Sequence, residues 1–270
     1  MSIEDLKVRV FQICSTDSFK FNIKKITKLI KTHAKKHEFC FFAENSLYIN
    51  IDKKIKTPAF DLKDLEPLQE LCKKKQITLH LGSAPLYEGE KLYNTMILID
   101  DKGQLTMPYK KIHLFRAEVG SISVNEGEQY ASGQTPAIIE VKGWRVGLSI
   151  CFDLRFSDLY SHYAKKECDL ILVPSAFLRS TGKAHWEILL RARAIETQAY
   201  IVASAQAGVH KSDTGAIRKS YGHSLGVSPW GDVLSDLKEK EDVSEAFTLK
   251  KSEIKKMRSS LIMDRHLLKI

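Results

Sequence analysis

Three apolar stretches of this sequence end on residues able to do chemistry: Glu44 after FCFFA, Cys151 after GLSI, and Ser175 after LILVP. In a layered α/β fold, strand ends on one edge converge on a common crevice. A free cysteine is most often a small buried apolar group. Cys151 has a different setting, because Val146, Leu148 and Ile150 alternate as in a strand that leads straight into it. Gly147 within that strand lets another backbone come close. A thiol where a strand turns into a helix is fixed by packing and open at one point. The N–H groups of the helix would favour a thiolate there, and any oxyanion formed beside it.

Glu44 closes a fully apolar strand, so its carboxylate must be partnered or shifted in pKa. It could equally cap a helix; beside a cysteine it is a competent general base. Tyr109–Phe115, YKKIHLF, places two lysines in an aromatic and apolar heptapeptide. Alternation puts Lys111 and His113 on one face and Lys110 on the other. A lysine near a thiol stabilises both thiolate and oxyanion, although lysines are ordinarily solvated. Asp153 and Arg155 follow the cysteine as a charged pair.

The elements needed to position these groups are legible as periodicities. Strands are predicted over Val8–Ile13, Phe39–Phe42, Thr78–Gly82, Tyr93–Asp100 and Gln104–Met107, with helices over Phe21–His37 and Leu65–Lys75. Tyr109–Gly133 reads as a long functional loop. Ala137–Val141 and Trp144–Ile150 form a hairpin, followed by a helix at Leu159–Lys165 and a strand at Leu170–Pro174. A strong helix over Ala184–Thr197 precedes strands at Ile201–Ala205, His223–Ser228 and Val233–Leu237, the last before the tail. Alternating strands and helices with antiparallel hairpins predict a layered α/β sandwich in one domain spanning 1–270.

The composition, 43% hydrophobic and 28% charged, is that of an ordinary globular chain. No apolar run approaches the roughly 18 residues of a membrane span. The N-terminus carries acidic residues and enters a strand directly, unlike a signal peptide, which points to the cytoplasm. Five cysteines, Cys14, Cys40, Cys72, Cys151 and Cys168, without CxxC spacing argue against a disulfide framework and a zinc site. A net charge of +9 could hold nucleic acid non-specifically, yet no basic patch interleaved with aromatics occurs. A small acidic substrate suits that sign equally well.

Glu44, Lys111 within YKKIHLF and Cys151 within GLSICFDLRF resemble, in order and separation, the Glu-Lys-Cys triad of the nitrilase (carbon–nitrogen hydrolase) superfamily. The similarity continues through LVPSAF, TGKAHWEILLRARAIETQAY, AQAG and YGHSLGVSPWG, and looks like the Nit branch and its deaminated glutathione amidases. The resemblance implies a four-layer αββα sandwich that pairs into dimers or larger assemblies, with the tail from about residue 245 as a possible oligomer arm. It implies Glu44 as base, Lys111 as oxyanion lysine, Cys151 as nucleophile and Glu126 as a second glutamate beside the lysine. Arg155 and Thr181 match positions that hold a substrate carboxylate, Phe177 lines the pocket, and Phe152 offers the backbone N–H after the nucleophile. The implied reaction takes deaminated glutathione to 2-oxoglutarate and cysteinylglycine through a thioester, with no metal or organic cofactor. 2-Oxoglutaramate, the ω-amidase substrate, is the alternative.

The sequence departs from the family pattern at Ala43, where proline usually precedes the base, at Arg116, usually aspartate, at Ser157, usually proline, and in its tail. Other readings have less support. A Cys-His protease lacks a recognisable cysteine signature, and the isolated histidines offer no zinc spacing. His185 and His223 read as fixed hydrogen-bonding groups. A binding protein that retains the fold without activity is the non-enzymatic reading. Pocket shape would come from the loops Ser46–Thr57 and Glu118–Ser132.

Overall fold

The computed structural model describes residues 5–52, 54–119 and 122–263. The acidic N-terminal tetrapeptide and the tail beyond Met263 lie outside the described residues. In the first half, β1 (Leu6–Gln12), α1 (Phe19–His33), β2 (Phe39–Phe41), α2 (Glu66–Lys75), β3 (Thr78–Glu88), β4 (Lys91–Ile99) and β5 (Leu105–Thr106) follow in order. A hairpin, β6 (Arg116–Val119) and β7 (Ile122–Asn125), leads to β8 (Ile138–Val141), β9 (Trp144–Leu148), α3 (Ser157–Lys165), β10 (Leu170–Leu172) and α4 (Arg179–Thr197). The chain closes with β11 (Tyr200–Ala203), β12 (Ala207–Lys211), β13 (Ile217–Tyr221), β14 (Leu225–Val227), β15 (Val233–Asp236), β16 (Val243–Leu249) and α5 (Lys251–Ser260).

Two six-stranded sheets, ordered β16-β1-β2-β3-β4-β5 and β15-β14-β11-β10-β9-β8, carry the architecture. β1, β2 and β3 run parallel, as do β9, β10 and β11, while the outer strands are antiparallel. Three buried layers follow from strand alternation. Ile26, Leu29 and Ile30 of α1, with Leu68 and Leu71 of α2, pack on Phe11, Cys40, Leu79 and Ile99. Val8, Val10, Phe39 and Phe41 of one sheet meet Trp144, Val146, Leu148, Leu172 and Val202 of the other. Tyr160 and Tyr163 of α3, with Trp186 and Leu190 of α4, cover Ile171 and Ile201. The order is helices, sheet, sheet, helices: the αββα sandwich.

The structure corrects several sequence expectations. The strand expected to end the fold at Leu237 is followed by β16, which pairs along all of β1 from Leu6↔Leu249 to Gln12↔Val243. The charged run before it, DLKEKED, masks its alternation, in which Val243, Phe247 and Leu249 share one face. Of the segment expected as an oligomer arm, the described residues form the end of this strand and α5, whose Ile254 joins the inter-sheet core, while 264–270 lie outside the described residues. Tyr109–Gly133 is not all loop, since β6 and β7 pair within it, and β12 and β13 form a second unforeseen hairpin. Gly147 pairs with Ile138 and Ile171 of the neighbouring strands, and it also makes room for a ring: a Cβ there would lie 2.8 Å from Tyr163 Cγ.

Candidate active site

Cys151 opens a short 3-10 turn, Cys151–Arg155, directly after the extended Ile150. Its φ of 49° is left-handed, a conformation that costs a non-glycine residue about 1–3 kcal/mol and persists only where its surroundings enforce it. Here they do. The Cys151 N–H donates to Pro174 O at 2.9 Å. The fully buried Asp153 carboxylate accepts the Ile150 N–H (2.8 Å), the Tyr109 hydroxyl (2.8 Å) and the His113 N–H (2.9 Å), and lies 2.7 Å from His113 Nδ1. Asp153 thus fastens the cysteine turn to the segment carrying Lys111.

Glu44 follows β2, whose exit is held by the Phe42 N–H on His80 O at 2.9 Å. Its side chain is 2% exposed. One oxygen, Oε1, accepts from Lys111 Nζ and from Asn94 Nδ2, each at 2.9 Å. Partnering therefore resolves the burial of this carboxylate, and the helix-capping reading falls away. Lys111, 1% exposed, is anchored by its own N–H on Asn94 O (2.9 Å). Its ammonium also reaches Glu126 at 2.8 and 3.1 Å. Glu126 Oε2 in turn accepts the Phe115 N–H at 2.8 Å. Lys110 points the other way and pairs with Glu88.

Charge balance follows from these contacts. Burial alone would lower the Lys111 pKa, but the carboxylates of Glu126 and Glu44 overcome it and hold the ammonium well above the ordinary lysine range. Burial, then the nearby Glu44 carboxylate, pushes the Cys151 thiol well up; Lys111 and a hydrogen bond from the Ala176 N–H oppose this without reversing it. The expectation of a helix-stabilised thiolate is corrected accordingly. That balance favours the protonated form of the sulfur.

The pocket above the sulfur opens to solvent and is lined by Glu44, Glu126, Cys151, Phe152, Arg155, Phe177, Thr181, Phe115 and Arg218, among others. All the sequence-predicted site residues line it except Lys111, which lies behind the two carboxylates. The Arg155 guanidinium sits 5.8 and 5.3 Å from the Phe152 and Phe177 ring centroids and 3.3 Å from His185 Nδ1. Ser175 is buried away from the pocket, its Oγ on Val173 O. His223 is fixed by Asp236 at 3.0 Å. Among the described residues no cluster of His, Cys, Asp or Glu could hold a metal ion.

Four contributors escaped the sequence reading: Asn94, Phe115, Asp153 in its fastening role, and Arg218. In IRKSY, alternation places Arg218 on the face of the buried Ser220, a period-two signal that could have marked it.

A thiol, a buried carboxylate and an ammonium gathered at one end of an αββα sandwich suit a hydrolase. A family model for carbon–nitrogen hydrolases matches residues 7–257, and the chain belongs to that family. It is 35% identical over 248 residues to a deaminated glutathione amidase of Dictyostelium discoideum, covering 86% of this chain and 83% of that protein. It is 40% identical over 177 residues to the omega-amidase NIT2 of Danio rerio, covering 65% of this chain and 62% of that one. Among solved structures, the Caenorhabditis elegans NitFhit protein superposes with a TM-score of 0.84 at 34% identity, covering 96% of this chain and 64% of that one. Saccharomyces cerevisiae Nit3 gives 0.79 at 25% identity, with 97% of each chain covered.

Proposed function

We propose that this amidase hydrolyses the γ-amide of deaminated glutathione, releasing cysteinylglycine and 2-oxoglutarate. The observation that carries the mechanism is Glu44: one buried carboxylate that accepts from the Lys111 ammonium at 2.9 Å and lines the same pocket as Cys151. Glu44 takes the thiol proton as sulfur attacks the amide carbonyl. Lys111 and the Phe152 N–H hold the oxyanion. Glu44 returns the proton to the departing amine, and the acyl group remains as a thioester on Cys151. The same carboxylate then takes a proton from water, which attacks the thioester and frees the acid, and the departing Cys151 sulfur recovers that proton from Glu44. Glu126 keeps Lys111 charged, and Arg155, with Thr181, clamps the carboxylate of the acyl group.

The acyl half is supported by a cationic Arg155 within an otherwise aromatic wall, and the substrate by two relatives named deaminated glutathione amidase, the second being that of Yersinia enterocolitica at 32% identity. The omega-amidase relatives, more similar over a shorter stretch, favour 2-oxoglutaramate as the second reading. Amine-release kinetics on both compounds, with Cys151→Ala as control, test the choice. The proposal expects higher kcat/KM on deaminated glutathione and no turnover by the variant. Preference for 2-oxoglutaramate would transfer the enzyme to the second reading, and turnover of neither would favour a binding protein.

We take the chain as one cytoplasmic domain that pairs with a second copy. The pairing is supported by exposed apolar side chains on α4 and β15, Ile188, Ile195, Val233 and Leu234, beside Trp230. Analytical ultracentrifugation that finds only monomer would exclude the pairing.

A further inference from the structure

Arg218 belongs to two chambers. It lines the catalytic pocket together with Phe115 and Glu126. The same three residues line an adjoining chamber, whose walls add Asn45, Asn50, Gln129 and Tyr130. The outer chamber is polar, and two of its residues carry buried polar atoms with no hydrogen-bond partner among the described residues: Asn45 Oδ1 and Arg218 Nε. Native structures leave few such atoms, and each calls for an explanation. The Arg218 guanidinium is otherwise fixed, with Nη2 donating to Ala176 O at 2.6 Å. Ala176 is also the residue whose N–H reaches the Cys151 sulfur. The unused donor is therefore held by the segment that shapes the nucleophile's surroundings.

Other acidic and amide groups of the outer chamber are occupied. Glu126 is paired with Lys111, Glu128 accepts from Asn125 Nδ2 at 3.3 Å, and Asn50 Nδ2 donates to Ile55 O at 3.1 Å and Thr57 Oγ1 at 3.2 Å. What remains without a partner is one buried acceptor and one buried cationic donor, a pair that suits a peptide-like N–H followed by a carboxylate. Arg155 already stands on the other side of the sulfur, where the acyl carboxylate is assigned.

We propose that the outer chamber is the subsite for the leaving amine, and that Arg218 selects amines carrying a terminal carboxylate, with Asn45 accepting from their peptide N–H. This rests on the acyl-group reading of the preceding subsection and adds the amine side. A substrate that loses only ammonia leaves this chamber unused. The two-carboxylate amide places one anion on each arginine.

The test uses three probes that share the 2-oxoglutaryl group: the primary amide, the cysteinylglycine amide, and the cysteinylglycine amide with its C-terminus blocked as a carboxamide. Amine release by the full-length enzyme should favour the free carboxylate over the carboxamide by about tenfold or more in kcat/KM, the scale of a hydrogen bond to a charged group. In Arg218→Gln that ratio should fall to within about twofold of unity, and Arg218→Lys should restore part of it. Both rates come from one preparation, so partial misfolding lowers both and leaves the ratio unchanged. A wild-type ratio near one, or an unchanged ratio in Arg218→Gln, would overturn the assignment. Cleavage of the primary amide alone would overturn it while sparing the acyl reading, whereas cleavage of none of the three would sink both.

Discussion

At the scale of single residues, the site depends on one ammonium shared by two carboxylates. Lys111 is nearly inaccessible and compensates Glu44 and Glu126 together. Removing it leaves a buried carboxylate unbalanced, which typically costs about 3–5 kcal/mol, and on the proposed mechanism also deletes an oxyanion donor worth roughly 10²–10³ in kcat. Lys111→Met should therefore lose both activity and urea resistance. Glu126→Gln should cost less stability, because the Glu126 side chain is 20% exposed and Glu44 remains to pair the lysine. Equal losses of stability in the two variants would contradict this ranking. The Cys151 thiol gives a second expectation. With its pKa raised well above 9.0 by burial and Glu44, alkylation by a small neutral reagent should keep accelerating from pH 7 to pH 9 without a plateau. A plateau below pH 8 would indicate a resting thiolate.

At the scale of elements, Glu44, the proposed base, is set by a close approach of β3 to the residues just after β2. Gly82 has φ +67°, and a Cβ there would lie 1.8 Å from Ala43 O. No side chain rotation relieves a clash with backbone, so Gly82→Ala must displace the end of β2 and Glu44 with it. Turnover should fall by about 10²-fold or more, as catalytic misplacement of about 1 Å does, with the loss in kcat rather than KM. Loss confined to KM would place the effect elsewhere. The legible parts of the sequence were those where a periodicity met a chemical group: β2 into Glu44, β9 into Cys151, and YKKIHLF, whose alternation separated Lys111 from Lys110. What was not legible depended on partners far along the chain. Asp153 reads as a charge after a strand, and only the fold brings it Tyr109 and His113. The edge strand β16 has polar neighbours and gains its identity from β1, more than 200 residues away. Arg218 lies in a hairpin of mixed polarity that offered little apolar contrast.

At the scale of the whole molecule, interior histidines couple stability to pH. His80 is fully buried, with Nδ1 accepting from the Gly82 N–H at 3.0 Å. His210, 2% exposed, lies between Ser15 O and Ser220 Oγ, each at 2.8 Å. Burial lowers their pKa values from 6.5 to about 3 and about 4. The unfolded chain therefore binds protons at a pH where the folded one does not, and the stabilisation present above pH 6.5 is lost as pH falls toward 4. Between pH 7 and pH 5 each histidine should withdraw about 2 kcal/mol. Urea unfolding at the two pH values should show this drop, and His210→Gln should reduce it by about half. A drop of the same size in that variant would assign the pH dependence to other groups.

The central claim is that Cys151 carries the acyl group between the two halves of the reaction. Acid quenching during turnover of a 2-oxoglutaryl amide, followed by peptide mass spectrometry, tests it directly. The account predicts a 2-oxoglutaryl mass increment on the peptide containing Cys151, absent when substrate is omitted, with Cys151→Ala neither labelled nor active. An increment on another residue, or amine release that survives in Cys151→Ala, would contradict it.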